Sequence, residues 1–111
     1  MRIPFEKRRD TVIPAMYGGE GAVSARMYVD GDNKIMEGVL APGCSIGLHS
    51  HQNSSEIVYI LSGTGKALFD EACETLSPGD CHYCPRGHSH SLINDGAEEL
   101  RFFAVVPEHA V

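Results

Sequence analysis

The sequence predicts an all-β protein, an antiparallel sandwich or barrel of about nine to eleven short strands. Three observations carry that expectation. Glycine and proline supply 12 and 6 of the 111 residues and cut the chain into short pieces. Turn signals recur at intervals of about 8–12 residues, the strand spacing of sandwiches and barrels. Nowhere do apolar residues recur with the period of about 3.6 that a helix requires.

Taken in order, residues 1–20 are an N-terminal arm or edge strand. Within them Thr11-Val12-Ile13-Pro14 reads as a short strand ended by its proline. Tyr17-Gly18-Gly19-Glu20-Gly21 is a loop. Residues 22–30 alternate as a strand, Asp30-Gly31-Asp32-Asn33 supplies a hairpin turn, and residues 34–40 return. After the turn Ala41-Pro42-Gly43 comes a strand over 44–51. Strict alternation puts Ser45, Gly47, His49 and His51 on one face and Cys44, Ile46 and Leu48 on the other. That apolar reverse face needs cover. Residues 56–61 are apolar on both faces after Glu56 and read as a central, doubly covered strand. Short strands follow at 66–70, 73–76, 81–84 and 90–93, and a strongly apolar last strand runs over 100–106 to Pro107.

A chain of 111 residues is expected to form one domain. Its net charge of −6 suits neither nucleic acid nor an anionic membrane surface. No apolar run approaches the roughly 20 residues of a membrane helix. The basic start, Met1-Arg2-Ile3-Pro4, is not followed by the apolar segment of an export signal. A cytoplasmic location is therefore expected, with Cys44, Cys73, Cys81 and Cys84 as thiols. Cys81-x-x-Cys84 lies on an expected strand, where a separation of three sends the sulfurs to opposite faces. It reads as buried small residues rather than as a metal or redox pair.

Chemistry concentrates between Gly43 and Gly63. His49 and His51, at i and i+2 of a strand, project to one side, and Glu56 opens the next strand. Imidazoles with a carboxylate suit a divalent transition metal.

Two segments can be set side by side: Gly43-x5-His49-x-His51-x4-Glu56-x6-Gly63 (residues 43–63) and Gly79-x5-Pro85-x-Gly87-x2-His90-x3-Asn94 (residues 79–94). All of their specified positions match the two signature motifs of the cupin superfamily. The chain resembles a small single-domain bacterial or archaeal cupin over residues 1–111. The resemblance implies a double-stranded β-helix, the jelly-roll or cupin barrel. It implies that His49, His51, Glu56 and His90 ligate one divalent metal ion, whether Mn, Fe, Ni, Co, Zn or Cu, with positions left open for a ligand. Gly43, Gly63, Gly79 and Gly87 are turn residues, Pro85 fixes a corner, and Asn94 caps a turn. His82 and His88 match no ligand position. His88 joins the face of His90 only if the chain is extended after Gly87. His109 is expected to be solvated.

Cupins similar to this one include dioxygenases, decarboxylases of small acids, sugar isomerases and lyases. The resemblance thus implies a metal-dependent enzyme of dioxygenase or small-carboxylate decarboxylase type acting on a small molecule in the barrel. The alternative is a non-catalytic small-ligand binding or sensing module. Polar groups available beside the metal are Tyr59, Tyr83, Arg26, Arg101 and Glu37, with Met27, Met36, Phe102 and Phe103 as apolar wall. The uncovered Cys44/Ile46/Leu48 face and the habit of small cupins to pair sheet to sheet imply a homodimer.

Overall fold

A computed structural model describes residues 1–109. Ten strands build two antiparallel sheets. The six-stranded sheet contains β1 (Thr11–Pro14), β2 (Ala22–Val29), β3 (Asn33–Leu40), β5 (Glu56–Ser62), β8 (Cys81–Cys84) and β10 (Leu100–Pro107). Its spatial order is β1-β2-β3-β10-β5-β8. The four-stranded sheet holds β4 (Ser45–Ser50), β6 (Gly65–Phe69), β7 (Ala72–Leu76) and β9 (Ser89–Ile93) in the order β4-β9-β6-β7. The fold is the double-stranded β-helix that the motifs imply, and the strand spans agree with the expected ones to within a residue or two. Among the described residues the helical content is two single 3-10 turns, Phe5–Lys7 and Met16–Gly18. No helix there is long and apolar enough to cross a membrane.

Alternation along each strand sends one row of side chains between the sheets. Val23, Met36, Leu40, Val58, Ile60 and Phe102 are among the residues that meet there as the core. β5 departs from expectation. Val58 and Ile60 are buried, yet Ile57, Tyr59 and Leu61 are 39%, 44% and 48% exposed. The strand is covered on one face only, and its continuous apolar run hides an ordinary alternation. The N-terminal arm lies on the outside of the large sheet. There the Phe5 ring meets Phe103 edge-on at 6.1 Å and Arg8 Nε donates to the Met27 carbonyl.

β4 departs more instructively. Against β9, Ile46 pairs with Leu92 and His49 pairs with His90, so three steps on β4 oppose two on β9. The extra residue makes a bulge, which reverses the facing of everything beyond it. Ile46 therefore enters the core together with His49, and only Leu48 of the expected apolar outer stripe is fully outside. The bulge lies under the 3-10 turn Met16–Gly18. A Cβ on Gly47 would sit 2.1 Å from the Tyr17 carbonyl oxygen, and one on Gly19 would sit 2.2 Å from that of Ser45. The two glycines let these backbones touch.

Gly47→Ala is expected to push the 16–19 turn off β4 and to lower stability by about 1–3 kcal/mol, the usual cost of overpacking a close contact. Denaturant unfolding would measure this, with a loss below about 0.5 kcal/mol counting against the close approach.

Candidate metal centre

The four side chains singled out by the motifs meet at one point. His49 and His51 come from β4 and the residue just after it, Glu56 from the first position of β5, and His90 from β9. One donor atom from each lies within 4.8 Å of all the others. His51 Nε2 is 3.0 Å from His90 Nε2, which is 3.1 Å from His49 Nε2. The Glu56 carboxylate oxygen lies 2.9 Å from His90 Nε2, 3.1 Å from His51 Nε2 and 3.7 Å from His49 Nε2. Backbone hydrogen bonds from His51 N to the His88 carbonyl and from Gly87 N to the His51 carbonyl tie the end of β4 to the turn before β9. The 52–55 loop is closed by a bridge between Ser54 and Glu108.

The rings are aimed from behind. His49 Nδ1 lies 2.8 Å from the Gly47 carbonyl oxygen, which only accepts. In a neutral imidazole the proton is then on Nδ1, and the lone pair of Nε2 faces the centre. His51 Nδ1 is hydrogen-bonded to Ser54 Oγ at 3.0 Å. Tyr17 stacks on His49, with ring centroids 4.0 Å apart and planes 13° from parallel. Nitrogen lone pairs and a carboxylate oxygen about 3 Å apart repel unless a cation or a proton lies among them. Adjacent corners of an octahedron with bonds of about 2.1 Å are about 3.0 Å apart. The donor set and its spacing therefore fit a divalent transition ion, which these residues could hold.

Burial works to raise the Glu56 carboxyl, but hydrogen bonds with His49, His51 and His90, donated when their Nε2 atoms carry a proton, outweigh it and hold the group well below the usual carboxylate range. Burial pulls His90 down from the ordinary imidazole value, against a smaller opposing pull from Glu56. Burial, with the charges of Glu56 and Asp70, pushes the Cys84 thiol up to about 11. Cys84 is therefore a protonated core residue, and Cys81 points the other way as expected, but it is exposed, so the pair is not two buried small residues.

A cavity of about 210 Å³ opens onto the four donors. Met36, Ile46, Val58, Leu92 and Val106 form much of its wall, Met16 and Tyr17 close one side, and Lys34, Gln52 and Glu108 mark its polar lining. The polar groups suggested by the sequence lie elsewhere. Tyr59 and Tyr83 face outward. Arg26, Glu37 and Arg101 line a separate hollow on the outer side of the large sheet. Of the four expected wall residues only Met36 reaches the cavity, since Met27 and Phe102 pack in the core and Phe103 faces the arm. His88 is a surface residue, hydrogen-bonded to Asp70 at 2.6 Å and stacked on Phe69. His109 is not simply solvated, because its Nε2 is hydrogen-bonded to Ser55 Oγ at 2.9 Å. His82, set aside on sequence, is buried and touches His90. Tyr17 and Lys34 had no local signal pointing to the site, because only the folded topology brings the 16–19 turn and β3 to it.

Comparison with known proteins identifies the family. Residues 36–106 match the Cupin domain family. The chain is a cupin. An "Oxalate-binding protein" of Thermotoga maritima is 40% identical over 67 residues, which cover 60% of this chain and 55% of that protein. A "Germin-like protein subfamily 3 member 1" of Arabidopsis thaliana is 36% identical over 62 residues, covering 51% and 30% of the two chains. This cupin thus spans about half or less of the length of these curated relatives. Among solved structures, a predicted oxalate decarboxylase from Thermotoga maritima superposes with a TM-score of 0.91 at 30% identity, covering 97% of this chain and 99% of that one. A polyketide cyclase from Streptomyces resistomycificus shares the fold alone, with a TM-score of 0.77 at 23% identity, over 96% of this chain and 78% of that one.

Acid should destabilise the metal-free cupin in two overlapping stages. His90 titrates below its ordinary value of 6.5 in the fold, and Glu56 below its ordinary 4.5. In both windows the unfolded chain binds more protons, so the stability present above each ordinary value is lost as pH falls through the folded one. Thermal melts in a chelator are expected to show a midpoint that declines below about pH 6.5. In His90→Gln the upper part of that decline should vanish, and a flat wild-type profile from about pH 7 to 4 would contradict the assignment.

Proposed function

We propose that this cupin holds one divalent transition metal ion on His49, His51, Glu56 and His90, and that the site takes a small carboxylate of the oxalate class. The convergence of three ring nitrogens and one carboxylate oxygen beneath an open cavity is the observation that carries this reading. When bound, the ion would supply Lewis acidity toward oxygen ligands. The chain's residues do the rest. Met36, Val58, Leu92 and Val106 exclude water from the inner cavity, Tyr17 walls off one side of His49, and Lys34 offers a cation to a carboxylate. A volume of about 210 Å³ suits a ligand of few atoms, being below the roughly 300–1,000 Å³ of sites for drug-sized molecules. The relative named as an oxalate-binding protein supports the same ligand class.

The reaction best suited to such a site is decarboxylation or oxidation of the bound acid, with dioxygenase and decarboxylase types foremost. A non-catalytic binding or sensing role is the second reading. It is favoured by a cavity whose ionisable lining, apart from the four donors, is Tyr17, Lys34 and Glu108. Residues 1–111 act as one cupin domain on this reading. The net charge of −6 supports a small-molecule partner over nucleic acid, and the four free cysteines suit the cytoplasm.

Metal analysis of protein grown in supplemented medium should find about one equivalent per chain, and replacing any one donor by alanine should weaken binding by more than about 100-fold. Calorimetry with oxalate should show binding to the loaded protein and none to the stripped protein. Carbon dioxide release or oxygen uptake with oxalate would establish catalysis, and tight binding with neither would establish the second reading. Absence of metal from wild-type protein would sink both.

We also propose a homodimer, now on a different surface from the β4 stripe. Ile57, Tyr59 and Leu61 of β5 and Tyr83 of the neighbouring edge strand β8, which is 52% exposed, make an outward apolar patch. Such a patch is costly to leave in water and fits a second copy of the sheet. Light scattering should give twice the 12.0 kDa chain mass, and Tyr59→Lys with Leu61→Glu should return it to a single chain mass. A monomeric wild type would refute the pairing.

A further inference from the structure

Behind His90 runs a chain of hydrogen bonds that the four-donor centre does not use. His90 Nδ1 lies 3.0 Å from His82 Nε2, and His82 Nδ1 lies 2.9 Å from the Glu74 carboxylate. The His82 and His90 rings stack at 5.2 Å and 18°. His82 projects inward from β8 of the large sheet, whereas Glu74 and His90 sit on β7 and β9 of the small one, so the chain spans the barrel interior. The Phe69 ring meets His82 edge-on at 6.1 Å and helps hold it. Glu74 ends the chain half-exposed on an edge strand.

The structure assigns Glu74 and His82 as a positioning pair that sets the tautomer and aim of His90. The argument follows the protons. A carboxylate only accepts, so His82 Nδ1 carries a proton and donates it to Glu74. In neutral His82, Nε2 is then an acceptor and takes its hydrogen bond from the Nδ1–H of His90. His90 Nε2 is left with a bare lone pair, directed at His49, His51 and Glu56. The same end is reached for His49 by a backbone carbonyl, but His90 requires two side chains in series. Partners of this kind orient a metal-binding imidazole and raise its basicity, and their loss costs about 10- to 100-fold in metal affinity. This role rests on the metal reading above. It adds two residues that hold no specified motif position, Glu74 between the motifs and His82 within the second, to the residues that determine affinity.

Glu74→Ala tests it, because a half-exposed edge position can lose its acceptor without opening the core. The metal-free variant should melt close to wild type. Its zinc affinity, measured by chelator competition, should fall about 10- to 100-fold, and Glu74→Gln, which keeps an acceptor oxygen, should recover most of the loss. Nitrogen-15 spectra of the metal-free protein should show His90 protonated on Nδ1 in wild type and a mixture of tautomers in Glu74→Ala. Zinc affinity within about twofold of wild type in Glu74→Ala, or an unchanged His90 tautomer, would overturn the assignment. So would equal losses in both variants accompanied by lowered metal-free stability, which is the signature of a purely structural link. A wild-type protein that takes up no zinc overturns the metal reading instead, and the tautomer measurement then decides the positioning role alone.

Discussion

Four electron-pair donors held about 3 Å apart inside a barrel are the constraint on which the rest of this cupin depends. Left to themselves they repel, and each has been taken out of water. The fold answers with partners on the far side of the rings: the Gly47 carbonyl, Ser54 Oγ and the His82–Glu74 pair. The remaining strain is met by a shared proton or a cation. Hydrogen bonds with the three imidazoles keep Glu56 ionised despite its burial, and burial itself pulls His90 below the ordinary imidazole value. The two jelly-roll sheets bring β4, β5 and β9 to one end of the core so that these partners can act together.

Most of the fold was legible in the sequence because turns and alternation are local. Gly43, Gly63, Gly79 and Gly87 do stand at positive φ, between +80° and +91°. Asn94 caps its turn, accepting from Gly96 N and donating to the Leu40 and Glu98 carbonyls. The four candidate donors were legible through motif spacing. What escaped was decided by contacts distant in the chain. β5 looks doubly buried because Ile57, Tyr59 and Leu61 are apolar, although no second layer covers them. Tyr17 and Lys34 reach the cavity only because the arm and β3 fold over it. His82 carries no motif position, and its role comes from lying across the barrel from Glu74.

The same separation of local and distant signals explains the polar groups that were misplaced. Arg26, Glu37 and Arg101 occupy neighbouring strands β2, β3 and β10 and cluster together, but on the outer face. Alternation by two assigns residues to a common face without saying which face is inside. The buried neighbours Ala25, Met36 and Phe102 settle that choice, because their row already fills the interior.

The bulge in β4 bears on how the first motif is to be understood. Five residues separate Gly43 from His49, and an ordinary strand of that length would turn His49 and Ile46 to opposite sides. Both face inward because one residue of the five is looped out of register with β9. The interval thus encodes a kink as well as a distance. Shortening it by one residue would leave Ile46 and the first histidine two apart on a regular strand, both still facing inward, and would remove instead the kink against which the 16–19 turn is seated.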